Sequence, residues 1–426
     1  MPIRPEDADL FAAERAYLVG VDWGRRRAFT PEESLSELET LVTAAGAAVV
    51  GGVIHRRNRA DAAFLIGKGK VEEAREEARR LGVNLVVFDE PLSPAQQRNL
   101  EQALDIRVVD RPTVILDIFA HRARTNEGRL QVELAQLEYE FPRLRGWGGE
   151  LSRLAGGIGT RGPGETKLET DRRRVMKRVG ALKRKLKDIG RRRALERKGR
   201  AAFPLVVLAG YTNSGKTTLL NRLAGSDAFA ADVPFATLDP TVRRVRLPSG
   251  RLVLFADTVG FIANLPADLV AAFRATFEEI QLADLVLVVA DLTAANPEAH
   301  AGVVEELLTV LGAREKRRVD VFNKADVAPA FDAVRFRELG YSSPLAISAR
   351  TGEGVGALLD AIDELLAADF IRVVAALPPG PLLAEVYARG RVVQRESRDG
   401  LTRVTADVAP ELARRLEPYA VIGTGQ

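Results

Sequence analysis

The sequence predicts an α/β protein of several domains. Three observations carry this. Short β-branched runs alternate with helical patterns over residues 15–110 and again over 203–368, as parallel βαβ units do. A glycine-rich motif, "GYTNSGKT" (210–217), stands between a strand-like run and a helical one. At 426 residues, the chain is longer than one ordinary core organises.

In the first region "AYLVGVDW", "AAVVGGVI", "VNLVVFDE" and "IRVVD" read as strands. "PEESLSELETLVTAAG", "KVEEAREEARRLG" and "SPAQQRNLEQAL" read as helices. This is a small α/β domain, 1–110. From 111 to 200 the strand pattern disappears. Leu130, Leu134, Leu137 and Phe141 repeat at helical spacing, as do Val175, Val179, Leu182, Leu186 and Ile189. Each is a narrow coiled-coil-like seam. The glycine-rich stretch 146–165 cannot continue a helix. The prediction is an antiparallel helical hairpin with that loop at its tip, each arm about 30 residues or roughly 45 Å. A third region, 201–368, returns to alternating strands and helices. After "LPPGP", the tail completes a small α+β domain, 369–426.

Composition narrows the chemistry. Apolar residues make up 46% of the chain, enough for sizeable cores. There is no Cys, which excludes disulfides, thiolate metal sites and a Cys nucleophile. His55, His121 and His300 are scattered and read as single structural histidines rather than a metal site. "MPIRPEDADLFAAERAY" lacks the basic start and apolar core of a signal peptide. The apolar run 285–290 is far short of the roughly 20 residues that span a bilayer. A cytoplasmic, soluble monomer is expected. Residues 172–200 hold 15 Lys or Arg and 2 Asp or Glu, so they carry +13 of a net +4 and leave −9 on the rest. Such a block suits a polyanion partner; the alternative is a solvated helical linker.

"GYTNSGKT" fits G-x-x-x-x-G-K-[ST] in the strand-to-helix context that the motif needs. Backbone N–H groups of Gly210, Tyr211, Thr212, Asn213, Ser214, Gly215, Lys216, Thr217 and Thr218 are expected to curl around phosphates at a helix N-terminus. Lys216 should reach the β- and γ-phosphate oxygens, and the Thr217 hydroxyl should ligate Mg²⁺. "NKAD" identifies the base. It begins 107 residues after Lys216 and closes a strand. The Asp326 carboxylate can accept from guanine N1–H and the 2-amino group, whereas adenine would leave it unpaired. Asn323 should hold the loop and touch the purine edge, the Lys324 stem can lie over the base, and Ala325 completes the turn. "SAR" (Ser348, Ala349, Arg350) supplies an N–H for guanine O6. Asp257 is placed to bind Mg²⁺ through water. In "FATLDPT" (235–241), Thr237 or Thr241 can add a second hydroxyl to Mg²⁺.

"DTVGF" (Asp257, Thr258, Val259, Gly260, Phe261) departs from the Ras-like pattern. The Gly260 N–H can meet the γ-phosphate. A Gln that orients the attacking water normally follows; here the residue is Phe261, which cannot hydrogen-bond a water.

The chain resembles the HflX family of GTPases. The resemblance is carried by "GGIGTRGPGETKLETDRR" (156–173), "FATLDPT" and "DTVGFI", with "FDEPLSPAQQRNLE" (88–101) and "LDIFAHRARTNEGRLQVELAQLEY" (116–139). It spans roughly residues 45–370. Together with the patterns above, the expected architecture is a P-loop GTPase domain with an N-terminal parallel α/β domain, a long helical hairpin linker and a small C-terminal α+β domain. The resemblance implies a Mg²⁺-dependent GTPase that binds GTP and GDP, engages the large ribosomal subunit and its rRNA, and separates stalled or idle ribosomes. It makes a hydrophobic residue after "DTVG" normal. It maps the switch segment to Phe235, Ala236, Thr237, Leu238 and Asp239, and so favours Thr237 over Thr241. Lys216, Thr237 and Gly260 are then the catalytic set, with Thr217 and Thr237 on the metal.

Trp147 and Arg161 are candidates to stack on bases, although a Trp at a hairpin tip also packs locally. Two other readings stand beside this one. One is a signalling switch with a protein partner. The other is ATP-dependent RNA remodelling through the N-terminal domain, where family members bind ATP. "GKGK" (67–70) lacks full phosphate-loop spacing and reads as a turn into a helix rather than as a weak ATP site.

Overall fold

The structure is a computed structural model. It describes residues 14–24, 28–143, 163–200, 203–225, 234–235, 241–266, 269, 273, 277–328, 332–338, 341, 344–398 and 400–421. Trp147, Arg161, most of the glycine-rich loop, and Ala236, Thr237, Leu238 and Asp239 lie outside the described residues. The chain divides into two compact units. The first is Met1–Arg192 with Val233–Asp239 and Asn264–Ala275, and the second is Arg193–Asp232, Pro240–Ala263 and Thr276–Gln426.

In the first unit, strands β1 (Arg15–Asp22), β2 (Ala48–Arg56), β3 (Leu85–Phe88) and β4 (Arg107–Asp110) form one sheet. Its order is β2-β1-β3-β4 and all its pairs are parallel. Helices α1 (Pro31–Ala44), α2 (Lys68–Leu81) and α3 (Pro94–Leu104) connect them. Local chemistry starts two of these helices. Thr30 with Glu33, and Ser93 with Gln96, form capping boxes, each followed by Pro in the first turn. "GKGK" is the turn that opens α2, with Gly67 as its N-cap. The core runs through Val19, Val86, Phe88, Leu100 and Val108.

The first hairpin arm differs from expectation. It is not one helix of about 30 residues. It is α4 (Arg111–Arg122) and then α5 (Asn126–Glu140). Ala123 turns extended, and the Thr125 hydroxyl accepts from Gly128 N, so Thr125 restarts the helix as an N-cap. The second arm is longer than expected: α6 (Pro163–Arg200) is one helix of 38 residues. The two seams meet as the spacing required. Leu130, Leu134 and Leu182 are buried together, with Leu137, Val179, Leu186 and Ile189 against them. Arg172 lies over the Phe141 ring, so the start of α6 meets the end of α5 and the pair is antiparallel. Burial of each leucine contributes on the order of 1.5–3 kcal/mol. The flanking pairs Arg178–Glu133 and Lys183–Glu138 are exposed and contribute little.

In the second unit, β5 (Leu205–Ala209), β6 (Thr241–Arg246), β7 (Leu252–Asp257), β8 (Leu285–Asp291), β9 (Arg318–Asn323) and β10 (Leu345–Ala346) form a sheet of order β10-β9-β8-β5-β7-β6. Only β6 runs antiparallel to its neighbour. The described helices here are α7 (Lys216–Ala224), α8 (Glu278–Leu282), α9 (Pro297–Val310), α10 (Ala333–Glu338) and α11 (Val355–Ala367). Val206, Leu208, Phe255, Leu287, Val321 and Leu358 centre the core. Fully buried Arg251 donates to the Asp363 carboxylate at 2.8 Å, which ties the start of β7 to α11. The tail adds β11 (Ile371–Leu377), α12 (Pro381–Arg389), β12 (Arg391–Arg398), β13 (Leu401–Val408) and α13 (Pro410–Leu416). Its antiparallel sheet has order β11-β13-β12. The α+β reading holds, but it overlooked β11. Among the described residues no helix is long and apolar enough to cross a membrane.

Candidate nucleotide site

Four loops build the site, each leaving the carboxyl end of β5, β7, β9 or β10. Open α/β sheets bind ligands at that end. The phosphate-loop motif follows β5 directly and opens α7. Gly215 has φ +89°, and a Cβ there would lie 2.2 Å from Asn323 Nδ2. Gly260 is equally constrained, because a Cβ would come within 2.8 Å of Thr212 Cα. Both positions need glycine so that other backbone or side-chain groups can approach.

Lys216 is buried. Its ammonium donates to Gly210 O at 3.0 Å and Tyr211 O at 2.7 Å. Burial pushes its pKa down to about 8, while the Asp257 carboxylate acts in the opposite direction. The Thr217 hydroxyl donates to Asp257 Oδ2 at 2.7 Å. A threonine hydroxyl beside a buried carboxylate is a hard-oxygen donor pair that suits Mg²⁺. The Thr258 hydroxyl is used structurally: it donates to Leu208 O at 2.7 Å, and Val259 is buried beside it. Tyr211 stacks on His300 at 3.9 Å, and its hydroxyl accepts from Ala263 N. Asn213 takes a left-handed conformation in the loop, and Ser214 is fully buried.

Phe261 has a clear place. Its N–H donates to Gly210 O at 3.0 Å, and its carbonyl accepts from Thr212 N at 2.7 Å. Its ring is buried and meets Phe277 edge-on at 5.8 Å. The residue after "DTVG" therefore locks this loop to the phosphate loop through its backbone and an apolar anchor.

The other side of the site is a relay of side chains. Asn323 Nδ2 donates to Ser214 O at 2.9 Å, and its Oδ1 accepts from Ala349 N at 2.9 Å. One amide thus joins "NKAD", the phosphate loop and "SAR". Ala325 N donates to Ile347 O. Lys324 pairs with Asp291 at 2.7 Å. The Ser348 hydroxyl donates to Asp326 Oδ1 at 2.7 Å, and Arg350 pairs with Oδ2. These partners, Ser348 first, hold the Asp326 carboxyl below its ordinary pKa. Arg222 escaped sequence reasoning. From α7 it donates to Ala349 O at 3.1 Å and to Arg350 O, fixing the "SAR" main chain. An arginine in an ordinary helix has no local signal for that task.

Phe235 belongs to the first unit. In the first unit its ring meets Phe119 of α4 edge-on at 4.6 Å, as does Phe273. Phe235 is 2% exposed with φ +55°, so its side chain is spent on the core.

Phosphate loops serve ATP-using and GTP-using folds alike. The distinguishing part lies on neighbouring strands, where an Asn reaches back to the loop and an Asp is held by a Ser. That combination places the chain in the class of P-loop GTPases. Family models agree. Residues 32–120 match "GTP-binding GTPase N-terminal", 122–200 "GTP-binding GTPase Middle Region", and 205–324 "50S ribosome-binding GTPase". GTPase HflX of Caldanaerobacter subterraneus subsp. tengcongensis is 45% identical, over 92% of this chain and 91% of that one. GTPase HflX of Escherichia coli is 42% identical, over 88% and 89%. Among solved structures, a GTP-binding protein from Sulfolobus solfataricus in complex with GDP is 23% identical, with a TM-score of 0.43 over 83% of this chain and 98% of that one. The chain belongs to the HflX family of GTPases, enzymes that hydrolyse GTP to GDP and phosphate.

Proposed function

We propose that this GTPase acts in the cytoplasm on the large ribosomal subunit, splits stalled or idle ribosomes into subunits, and uses GTP hydrolysis to control its release. The observation that carries this reading is the basic face of α6. Arg172, Lys177, Lys183, Arg184, Lys185, Lys187, Arg191 and Arg192 are exposed along it. Ribosomal RNA is a polyanion, and Lys or Arg contacts to it release counterions. The ribosome-binding description of the matching GTPase model supports the same partner. We assign 1–110, 111–200, 201–368 and 369–426 as the working domains.

In the site, N–H groups of Gly210 to Thr218 take the phosphates. Lys216 exchanges its two carbonyl partners for β- and γ-phosphate oxygens. Thr217 and Thr237, with Asp257, would hold Mg²⁺, which when bound would supply positive charge beside the β- and γ-phosphates. Gly260 N–H meets the γ-phosphate. Asn323, Lys324, Ala325 and Asp326, with Ser348, Ala349 and the main chain at Arg350, enclose guanine. Phosphoryl transfer then depends on positioning and fixed positive groups.

Phe261 supplies no water contact, so hydrolysis by the free protein is slow and a partner must complete the site. Purified large subunits are expected to raise kcat at least about tenfold, a floor under the 10³–10⁵ that trans-acting groups reach. Phe261→Ala should keep the stimulated rate, because the ring packs and touches no reacting atom. Fast hydrolysis that ribosomal subunits leave unchanged would sink the proposal, as would loss of chemistry in Phe261→Ala with GTP binding intact.

The basic helix makes a separate expectation. Replacing Arg191, Arg192 and Arg193 by Ala should weaken binding to large subunits while leaving GTP affinity nearly unchanged. Each lost phosphate contact lowers the slope of log K against log salt by somewhat less than one. Co-sedimentation across a salt series measures it, and an unaltered slope assigns these arginines to a solvated face.

A further inference from the structure

Arg350 has a contact that the guanine reading leaves unexplained. The Asp326 carboxylate is mostly enclosed, with 11% of its side chain exposed, while that of Arg350 is 72% exposed. Ser348 takes Oδ1 and the Arg350 guanidinium takes Oδ2. Guanine needs this carboxylate as well, for N1–H and the 2-amino group. The N1–C2–N3 edge of guanine, with its amino group, is itself a cyclic guanidine. Arg350 therefore presents to Asp326 Oδ2 a guanidinium N–H of the kind that the base presents.

The rest of the pocket follows the same logic. In "SAR", one of whose N–H groups is expected to meet guanine O6, the Ala349 N–H donates to the Asn323 amide oxygen at 2.9 Å. Donor and acceptor functions that read the base are thus matched by groups of the chain itself. The main chain is not what gives way, because Arg222 clamps the carbonyls of Ala349 and Arg350. The Arg350 side chain is the mobile member. It is long and solvated, and it can leave the carboxylate at the modest cost of an exposed ion pair.

We propose that Arg350 is an internal competitor of guanine: its guanidinium holds the carboxylate that the base must take, and so limits how tightly the chain holds GTP and GDP alike. The inference rests on the assignment of Asp326 to the base. It makes Arg350 a residue that tunes affinity without touching the phosphates. It also lets the pocket release nucleotide without leaving Asp326 unpaired.

The test is equilibrium binding of fluorescent N-methylanthraniloyl GDP and GTP to the full chain with Mg²⁺. Arg350→Ala should lower Kd for both nucleotides by the same factor, roughly 2- to 5-fold, the range of an exposed ion pair. Arg350→Lys, which keeps the charge without the planar fork, should fall between that variant and the parent protein. In an Asp326→Asn background, probed with xanthosine diphosphate, Arg350→Ala should change Kd by less than about 1.5-fold, because the contested carboxylate is gone. An unchanged or higher Kd in Arg350→Ala overturns the competitor, and does so with the base assignment intact if Asp326→Asn still prefers xanthosine. If Asp326→Asn keeps its preference for guanine, the base assignment fails and the competitor falls with it. Arg350 is exposed, so its loss leaves folding untouched.

Discussion

Lys216→Ala is expected to cut GTP hydrolysis by at least about 10²–10³ in kcat/KM, the cost of removing one oriented donor from a transition-state cradle. Among the described residues, Lys216 is the one lysine that is buried, and the phosphate-loop geometry aims it at a polyphosphate. Its present partners, Gly210 O and Tyr211 O, are carbonyls that it can exchange for phosphate oxygens. Folding should not suffer. Burial lowers its pKa to about 8 from 10.5. The fold therefore penalises the charged form fully below about pH 8, and the penalty fades as pH rises toward the unfolded value. Removing the charge relieves that penalty. Phosphate needs the protonated ammonium, so GTP affinity should weaken as pH climbs through about 8, by up to tenfold per pH unit, and the Lys216→Ala variant should lose that slope. Kinetics, binding from pH 7 to 9.5, and thermal melting together decide it. An active variant, or an inactive one that is also unfolded, would refute the assignment.

Asp326→Asn should exchange base preference. On the proposed assignment the carboxylate accepts from guanine N1–H and the 2-amino group, whereas an amide can donate to the C2 carbonyl of xanthine. A mismatched buried pair costs on the order of 10²–10⁴ in selectivity. Ser348 still holds the side chain through its hydroxyl, so the amide has a defined orientation. Hydrolysis of GTP and xanthosine triphosphate, measured side by side, reads the exchange. Undiminished preference for GTP would remove Asp326 from the base pocket.

Much of this fold is legible in the residues. The runs "LVVLA", "LVLFAD", "LVLVVAD" and "RVDVFN" became β5, β7, β8 and β9, because β-branched runs bounded by turns encode strands locally. The leucine spacings on either side of the glycine-rich loop encoded the α5–α6 seam in the same way. The break between α4 and α5 was missed, since the period of Leu130 and Leu134 says nothing about where the helix begins. Thr125, an N-cap, was the available sign. Strand β11 was missed because only three residues, with no Gly or Pro among them, separate "IRVVAAL" from the end of α11.

The motifs specified a phosphate loop, an Asp proposed to read the base and the absence of a Gln after "DTVG", because these are matters of residue type and spacing along one chain. How they are held is another matter. Asn323 bridges Ser214 and Ala349 across 109 and 26 positions, and Arg222 reaches the "SAR" carbonyls across 127 and 128. Those contacts exist because the order β10-β9-β8-β5-β7 lays distant strand ends side by side, and strand order is not written in any local period. Phe235 makes the same point. Its sequence context names a nucleotide switch, and only the packed structure brings its ring against Phe119. Residue chemistry sets what each group can do; the packed sheet and its helices set which partner it meets.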